Sequence, residues 1–197
     1  MSGPSWGRGR LGRGRGVLLL ATGNAHKVEE IAAIMDGWVV EPHDPDVEET
    51  GTTFEENALL KAREVAVATG DLAVADDSGI EIDALGGAPG IHSARWTAES
   101  NWIPRVLGEL TGKPAAERGC RYVCAAAAVW PDGREVVVRG TVEGRIADEP
   151  RGTGGFGYDS IMVPVEGDGR TFAEMSTVEK HALSHRARAF RSLRPLL

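Results

Sequence analysis

The sequence predicts an α/β fold built on a mixed sheet. Segments with helix and strand character alternate along most of the chain, which is typical of α/β proteins. Two strand-like segments, residues 122–130 and 135–142, are joined only by the hairpin turn Pro131-Asp132-Gly133, so part of the sheet is antiparallel. At 197 residues the chain is long enough to bury a substantial core, and it contains no internal repeat.

The first elements are two predicted strands with a helix between them. Residues 17–21 form an apolar strand, and Thr22–Lys27 form the turn that follows it. Apolar side chains then recur every three or four positions over residues 28–35, which is the spacing of a helix face. Residues 38–41 are expected to form a short strand, and residues 42–51 a loop rich in proline and acids.

Clear end signals define the second helix. Thr53 and Glu56 form the capping-box pattern with which helices begin, and Gly70 is typical of a helix C-terminus. Residues 72–77 follow as a buried strand that ends in two acids.

The second half contains a turn over residues 86–90 and a helix over residues 102–110. After the hairpin, the glycine-rich segment 152–159 precedes a strand over residues 161–163. The last element is predicted as one helix over residues 178–193.

The composition is that of a soluble globular protein. Hydrophobic residues make up 42% and charged residues 26% of the chain. The longest apolar run, Val17–Ala21, is far shorter than the roughly 20 residues of a membrane span. The net charge of -7 argues against a protein that coats nucleic acid. We therefore expect a cytoplasmic protein that has neither a membrane nor a nucleic acid as its partner.

The first sixteen residues differ from the rest of the chain. They contain four arginines and no acid, and their low-complexity Arg/Gly pattern cannot pack a core. We expect residues 1–16 to be a disordered extension and residues 17–197 to be a single domain. The alternative interpretation of the extension is a weak RNA- or membrane-binding arm.

The two cysteines, Cys120 and Cys124, lie four positions apart in a predicted strand. This spacing puts both thiols on one face, roughly 13 Å apart, which is too far for a disulfide. A zinc site needs more ligands at closer range. We therefore expect two reduced core thiols, as in a cytosolic protein.

The first candidate site is the turn Thr22-Gly23-Asn24-Ala25-His26-Lys27 between a strand and a helix. Free backbone N–H groups and the positive end of the helix dipole attract anions at such a turn, and Lys27 adds a charge for phosphate. The spacing matches neither a P-loop nor a dinucleotide-binding motif. An ordinary strand-to-helix turn is the competing interpretation.

The second candidate site is the acid pair Asp76 and Asp77, followed by Ser78. Ligands of open α/β sheets bind at the carboxyl ends of strands, and Mg²⁺ prefers one or two carboxylates together with substrate phosphates. Neighbouring strand residues point to opposite faces, so one acid at most is expected to face a given site. Solvated turn acids are the alternative. On the preceding helix, Asn57 and Lys61 are four positions apart and share a face.

Two C-terminal segments carry groups suited to a purine base. In Phe156-Gly157-Tyr158-Asp159 the rings can stack on a base, the glycine permits close approach, and the carboxylate accepts hydrogen bonds. On the last predicted helix Lys180 and Ser184 share a face, with His185 and Arg186 beside it. A tight bend and an amphipathic surface are the respective alternatives. Together the candidate sites describe a Mg²⁺-dependent hydrolase of a nucleoside triphosphate.

Six segments in a fixed order carry a family resemblance that covers nearly all of residues 17–197. They are similar to the motifs of the inosine/xanthosine triphosphate pyrophosphatase family, which removes deaminated purine nucleotides from the nucleotide pool. The matching segments are residues 21–27, 49–62, 75–79, 86–95, 152–159 and 184–186.

The resemblance implies a fold and a reaction. The expected ITPase-like fold is an elongated, mixed and twisted sheet flanked by helices, with two lobes around a central cleft, usually in a homodimer. The expected reaction is Mg²⁺-dependent hydrolysis of ITP, dITP and XTP between the α- and β-phosphates, which gives a nucleoside monophosphate and pyrophosphate.

The resemblance also implies roles for individual residues. Asp77 matches the metal-linked catalytic acid that orients or deprotonates water, Ser78 lies beside the substrate, and Glu49 matches a second metal carboxylate. The implied triphosphate contacts are Thr22, Gly23, Asn24, Ala25, His26, Lys27 and Lys180. The implied purine contacts, which read the 6-keto edge, are Phe156, Gly157, Tyr158, Asp159, His185 and Arg186.

The sequence departs from the family pattern at Ser160, where proline is usual, and at His181, where a small polar residue is frequent. Residues 96–116 are also shorter than the acidic helix of many relatives. Two alternatives remain: a related pyrophosphatase of the Maf type, which acts on modified pyrimidines, and a non-catalytic nucleotide- or RNA-binding protein. The acid at position 77 favours an enzyme, because a binding protein has no need of it.

Overall fold

A computed structural model describes residues 16–97 and 102–197. The strands are β1 (Val17–Ala21), β2 (Val39–His43), β3 (Ala73–Ile82), β4 (Gly119–Val129), β5 (Glu135–Ile146) and β6 (Met162–Pro164). The helices are α1 (Ala25–Ile34), α2 (Phe54–Thr69), α3 (Trp102–Glu109), α4 (Thr177–Leu183) and α5 (His185–Leu193), with short 3-10 helices between some of them. Apart from Gly16, the predicted extension over residues 1–16 lies outside the described residues.

The six strands form a mixed sheet in the order β2-β1-β3-β4-β5-β6. The first three strands of this order are parallel, and β3 to β6 are antiparallel. This arrangement confirms the predicted α/β class, including the hairpin between β4 and β5. Within the described residues, no helix has the length and apolar character that a membrane span requires.

The neighbours of β3 differ in length, and this difference creates room for a site. β1 pairs with β3 only at Leu19–Ala73 and Leu20–Val74. On the other side, β4 pairs with β3 along its whole length. Beyond Val74, one edge of β3 therefore continues past the end of β1.

Helices cover both faces of the sheet, and alternate residues of β3 serve different faces. Ala73 and Ala75 pack in one core with the buried side of α2. Val74 packs on the opposite face with residues of α1 and α5. Further along the strand, Ile80 and Ile82 pack with Val106 of α3. This alternation is the reason why two consecutive acids of β3 enter different surroundings.

The predicted end of the third strand was wrong. β3 does not end in the two acids but continues to Ile82. Ile80 and Ile82 extend the buried alternation, and β4 supplies backbone partners as far as Cys120. The acid pair therefore lies in the middle of a strand, and Gly79 belongs to the strand and not to a turn.

The prediction of a single C-terminal helix was also wrong, because the helical conformation is interrupted at Ser184. This residue has an extended backbone with ψ 148, and its hydroxyl accepts a hydrogen bond from the backbone N–H of Ala187 at 3.1 Å. It thereby ends α4 and caps α5. Lys180 and Ser184 consequently do not share the face of one continuous helix.

Side-chain caps set the ends of the two N-terminal helices. α1 begins three residues before the predicted start because the Asn24 side chain accepts from the N–H groups of His26 and Lys27. At α2 the Thr53 hydroxyl accepts from the N–H of Glu56 as predicted, but the Glu56 carboxylate accepts from Thr52 instead of completing the capping box. Gly70 ends the helix with a left-handed φ of 72.

Both cysteines are free and buried, as predicted. Burial raises the pKa of the Cys120 thiol to about 12 and raises the pKa of Cys124 as well. Both therefore stay protonated and contribute to the core.

Substitution of Gly140 in β5 tests how closely α5 packs against the sheet. A Cβ atom at this position in β5 would collide with backbone atoms of His185 and Ala189. We expect Gly140→Ala to lower the free energy of unfolding by about 1–3 kcal/mol, as overpacking does elsewhere. In the control Gly108→Ala, nothing lies within 4 Å of the added atom, and helix propensity predicts a gain of about 0.5–1 kcal/mol. Urea denaturation measures both, and equal stabilities would contradict this packing.

Candidate active site

A cavity of about 390 Å³ lies where β3 continues past the end of β1. This is an ordinary volume for a small-molecule site. Two predicted site residues, Ala25 and His26, do not line it, although the His26 ring stacks on Phe156 with centroids 5.3 Å apart. The predicted residues that do line it are Thr22, Gly23, Asn24, Lys27, Glu49, Asp77, Ser78, Phe156, Gly157, Tyr158, Asp159, Lys180, His185 and Arg186.

The turn between β1 and α1 places the ammonium group of Lys27 at the cavity, whereas several of its backbone N–H groups are hydrogen-bonded within the turn. The Asn24 side chain accepts from the N–H groups of His26 and Lys27 at 3.0 and 3.4 Å, and the Thr22 hydroxyl accepts from the N–H of Asn24 at 3.2 Å. These three N–H groups therefore already have acceptors, so the turn offers fewer free backbone donors than the sequence predicted. The Lys27 ammonium lies at the cavity wall, where it pairs with Asp76 at 3.1 Å.

On the α2 side of β3, Asp77 and Glu49 converge on one cation. The Lys61 ammonium lies 2.7 Å from a Glu49 oxygen and 3.4 Å from an Asp77 oxygen. The Asn57 amide donates to the other Asp77 oxygen at 3.2 Å and accepts from the N–H of Gly51 at 2.8 Å. The shared helix face of Asn57 and Lys61 is thus confirmed, and it holds the predicted catalytic acid in place.

The two carboxylates of this group differ in basicity. Burial raises the pKa of the Asp77 carboxyl above its ordinary value, although Lys61 opposes the shift. Burial acts in the same direction on Glu49, but Lys61 and Arg95 outweigh it and hold the pKa of Glu49 below its ordinary value. Arg95 contributes through an ion pair of 2.6 Å with Glu49. Asp77 is therefore the better proton acceptor of the two.

The same two carboxylates fit a Mg²⁺ site. They come from different parts of the chain and both contact the Lys61 ammonium, at 2.7 and 3.4 Å, so they lie close enough to share a cation. Among residues 16–97 and 102–197 no group of three or more His, Cys, Asp or Glu side chains forms a complete metal cage. Two carboxylates suit Mg²⁺ because it commonly keeps water and substrate phosphates as its other ligands.

On the opposite side of β3, Asp76 belongs to a buried chain of alternating charges. Arg186, only 2% exposed, donates to Asp76 through Nε and Nη2 at 3.2 Å and to Glu30 through Nη1. Lys180 then joins Glu30 to Asp159, with distances of 2.6 and 2.7 Å. We call this set the charge chain; its members in order are Lys27, Asp76, Arg186, Glu30, Lys180 and Asp159.

Charge pairing overrides burial within the charge chain. Burial acts to raise the pKa of Asp76, but Lys27, Arg186 and Lys61 hold it well below its ordinary value. Next to the chain, burial lowers the pKa of His185 well below its ordinary value, and the cations Arg186 and Lys180 lower it further. His185 is consequently neutral, and its Nδ1 atom is buried without a hydrogen-bond partner among the described residues.

The glycine-rich segment 152–159 folds around its own aspartate. An Asp159 oxygen accepts from the backbone N–H of Phe156 at 2.8 Å, and Gly155 has a left-handed φ of 68. The Phe156 ring lies 4.8 Å from the Lys180 ammonium. Tyr158 is turned toward the core, where its hydroxyl donates to the carbonyl of Ser93 at 2.8 Å.

Sequence reasoning missed several groups that the fold brings to this cavity. Glu30 was not singled out, although it joins two predicted site cations. Tyr122 and Trp102 also line the cavity from β4 and α3. The alternation of side chains along β4 could have indicated that Tyr122 is buried, because it places this residue on the same face as Cys120 and Cys124. The alternation could not indicate that Asp159 lies next to the Tyr122 hydroxyl.

Comparison with known proteins identifies the family. The model of the Ham1 family matches residues 18–196. The chain belongs to the Ham1 family. A protein named dITP/XTP pyrophosphatase from Symbiobacterium thermophilum is 51% identical over 179 residues, which cover 87% of this chain and 90% of that protein. One of the same name from Streptomyces coelicolor is 48% identical and covers 91% and 96%.

Solved structures of the Ham1 family share the fold. The Staphylococcus aureus Ham1 protein superimposes with a TM-score of 0.80 at 37% identity, covering 91% of this chain and 97% of that one. The dITP/XTP pyrophosphatase from Mycobacterium abscessus gives 0.72 at 42% identity, covering 91% and 99%. These matches confirm the resemblance deduced from the sequence. The roles of individual site residues stay predictions.

Removal of Arg186 tests the charge chain. Arg186→Met leaves Glu30 and Asp76 buried with an uncompensated charge, so we expect a loss of about 3–5 kcal/mol in the free energy of unfolding. Arg63→Met is the matched control, because Arg63 also pairs with a carboxylate, Glu135, but its side chain is 48% exposed. That variant should lose about 1 kcal/mol or less. Similar losses in urea denaturation would mean that burial of the chain contributes little.

Proposed function

We propose that this protein hydrolyses ITP, dITP and XTP to the nucleoside monophosphate and pyrophosphate, with Mg²⁺, and thereby clears these nucleotides from the pool. One observation carries the proposal: a single cavity is lined both by the carboxylates of Glu49 and Asp77 and by the aromatic ring of Phe156. The relatives are named dITP/XTP pyrophosphatases, which supports dITP and XTP as substrates. Membership of the Ham1 family favours this activity over the Maf-type alternative.

The acid side of the cavity would perform the hydrolysis. Asp77 orients the attacking water and accepts its proton. Asn57 and Lys61 hold the carboxylate in position, and Lys27 offsets phosphate charge. Mg²⁺ bound at Glu49 and Asp77 would neutralise the charge that develops on the phosphates.

The other side of the cavity would read the base. A 6-keto purine presents an acceptor at O6 and a donor at N1, whereas adenine presents the opposite pattern. Lys180 was expected among the triphosphate contacts, but it contacts Asp159 at 2.7 Å, so we assign it to the base. Lys180 then donates toward O6 and Asp159 accepts from N1–H. Adenine would leave both groups unpaired.

Two further expectations extend this proposal for a hydrolase of purine nucleoside triphosphates. The protein works as a homodimer, and it is located in the cytoplasm. The homodimer and the location rest on the sequence resemblance and on the composition.

Asp77→Asn tests the catalytic assignment. The substitution keeps the shape of the side chain but removes the charge that accepts a proton, so we expect kcat for ITP to fall at least about 100-fold. The control Asp148→Asn makes the same change at a side chain that is 87% exposed, and it should retain full activity. Pyrophosphate release measures both, with circular dichroism to confirm folding. A folded Asp77→Asn variant of normal activity would remove Asp77 from the mechanism.

A pair of lysine variants tests the division of the cavity. Lys27→Met should lower kcat/KM for ITP, XTP and ATP by one common factor, because all three carry the same phosphates. Lys180→Met should instead reduce the preference for ITP over ATP by about 10-fold, because it removes a donor to the keto oxygen. Steady-state kinetics on the three nucleotides separates the effects. The opposite pattern would show that the two ends of the site are assigned in reverse.

A further inference from the structure

The proposed site has to reject GTP, and the 6-keto edge alone cannot do so. Guanine carries the same O6 acceptor and N1–H donor as hypoxanthine. It differs by an amino group at position 2, where hypoxanthine has hydrogen and xanthine has oxygen. A carboxylate is the usual partner for N1–H and the 2-amino group together, because its two oxygens match two parallel donors. Asp159 would thus favour guanine unless something prevents it.

The protein itself occupies most of the Asp159 carboxylate. One oxygen accepts from the backbone N–H of Phe156 at 2.8 Å and from the Lys180 ammonium at 2.7 Å. The other oxygen accepts from the Tyr122 hydroxyl at 3.1 Å. A carboxylate offers about four acceptor positions, so three donors leave it about one. The residue is 4% exposed, which leaves little room for rearrangement.

Tyr122 is built into the floor of the cavity. It lies on β4, lines the cavity and is 6% exposed. Its ring stacks on His185 with centroids 4.5 Å apart and contacts Phe172 at 5.8 Å. Burial raises the pKa of Tyr122 well above its ordinary value, and Asp159 adds to the rise. The phenol therefore keeps its proton and remains a donor to Asp159.

We propose that the Tyr122 hydroxyl is a specificity-determining group that excludes guanine from the base site. It fills one of the two acceptor positions on the Asp159 oxygen that Phe156 and Lys180 leave open, so once N1–H takes the other position the 2-amino group finds no acceptor. The one remaining position suffices for N1–H of hypoxanthine or xanthine, neither of which carries a donor at position 2. Guanine would bury an amino group without an acceptor, which weakens its binding. This inference rests on the proposed function and adds the basis of its selectivity.

Tyr122→Phe is the direct test, because it removes one oxygen and keeps the stacked ring. We expect the ratio of kcat/KM for GTP to that for ITP to rise about 10-fold. A structural defect would lower both activities and leave this ratio unchanged. Thr171→Val is the matched control: it removes a buried hydroxyl that donates to the carbonyl of Arg151 at 2.8 Å and that belongs to no residue lining the cavity. The control should keep the ratio of the unmodified protein.

An unchanged or lower GTP to ITP ratio in Tyr122→Phe would overturn the proposal, and so would an equal rise in both variants. If Tyr122→Phe turns over too slowly for kinetics, calorimetric binding of GMP and IMP gives the same comparison without catalysis. An unchanged ratio of dissociation constants would then overturn it. The unmodified protein provides the separate check: failure to release pyrophosphate from ITP contradicts the proposed function, whereas ITP hydrolysis with an unaltered ratio in Tyr122→Phe contradicts only the role of Tyr122.

Discussion

The ion pairing of Arg186 with Asp76 and Glu30 holds the candidate site together. These three side chains come from α5, β3 and α1, and the guanidinium is 2% exposed. A buried charge is tolerated only when partners replace its hydration, so the three elements cannot separate without a large penalty. Lys180 extends the pairing to Asp159 and hence to the glycine-rich segment. Buried ion pairs thus join the helices, the sheet and the glycine-rich segment around the cavity.

Strand geometry gives the two neighbouring acids different tasks. Side chains alternate across a sheet, so Asp76 enters the charge chain on the α5 side and Asp77 faces Asn57 and Lys61 on the α2 side. The pKa shifts follow this division. Asp76 is surrounded by cations and stays ionised, whereas the pKa of Asp77 is raised. One acid organises the site, and the other has the properties of a proton acceptor.

Both groups reach one cavity because β1 is short. Its pairing with β3 stops at Val74, and the two acids follow after one further residue, Ala75. A longer β1 would cover this edge of β3 and separate the two faces of the sheet. The cavity therefore depends on the unequal lengths of the strands beside β3. β1 ends early, whereas β4 pairs with β3 as far as Ile82 and so keeps the strand in place.

The sequence by itself determined the α/β class, the hairpin, the capped helix that begins after Thr53, and the family. These follow from local signals, namely turn residues, caps, apolar periodicity and the order of the motifs. It also identified most of the residues that line the cavity, since fourteen of the predicted positions do so. It did not determine the end of β3 or the break at Ser184, because both depend on partners distant in the chain.

Only the tertiary structure decided which charges meet. Glu30 and Lys180 are 150 positions apart, and Tyr122 and Asp159 are 37 apart, so no local pattern links them. Whether a lysine faces phosphate or base, and whether a carboxylate still has an acceptor position to offer, depends on such contacts. A motif shows which residue type stands at a given position. The packing of α1, β3, β4 and α5 against one another decides which of these charged groups and hydrogen-bond acceptors become neighbours.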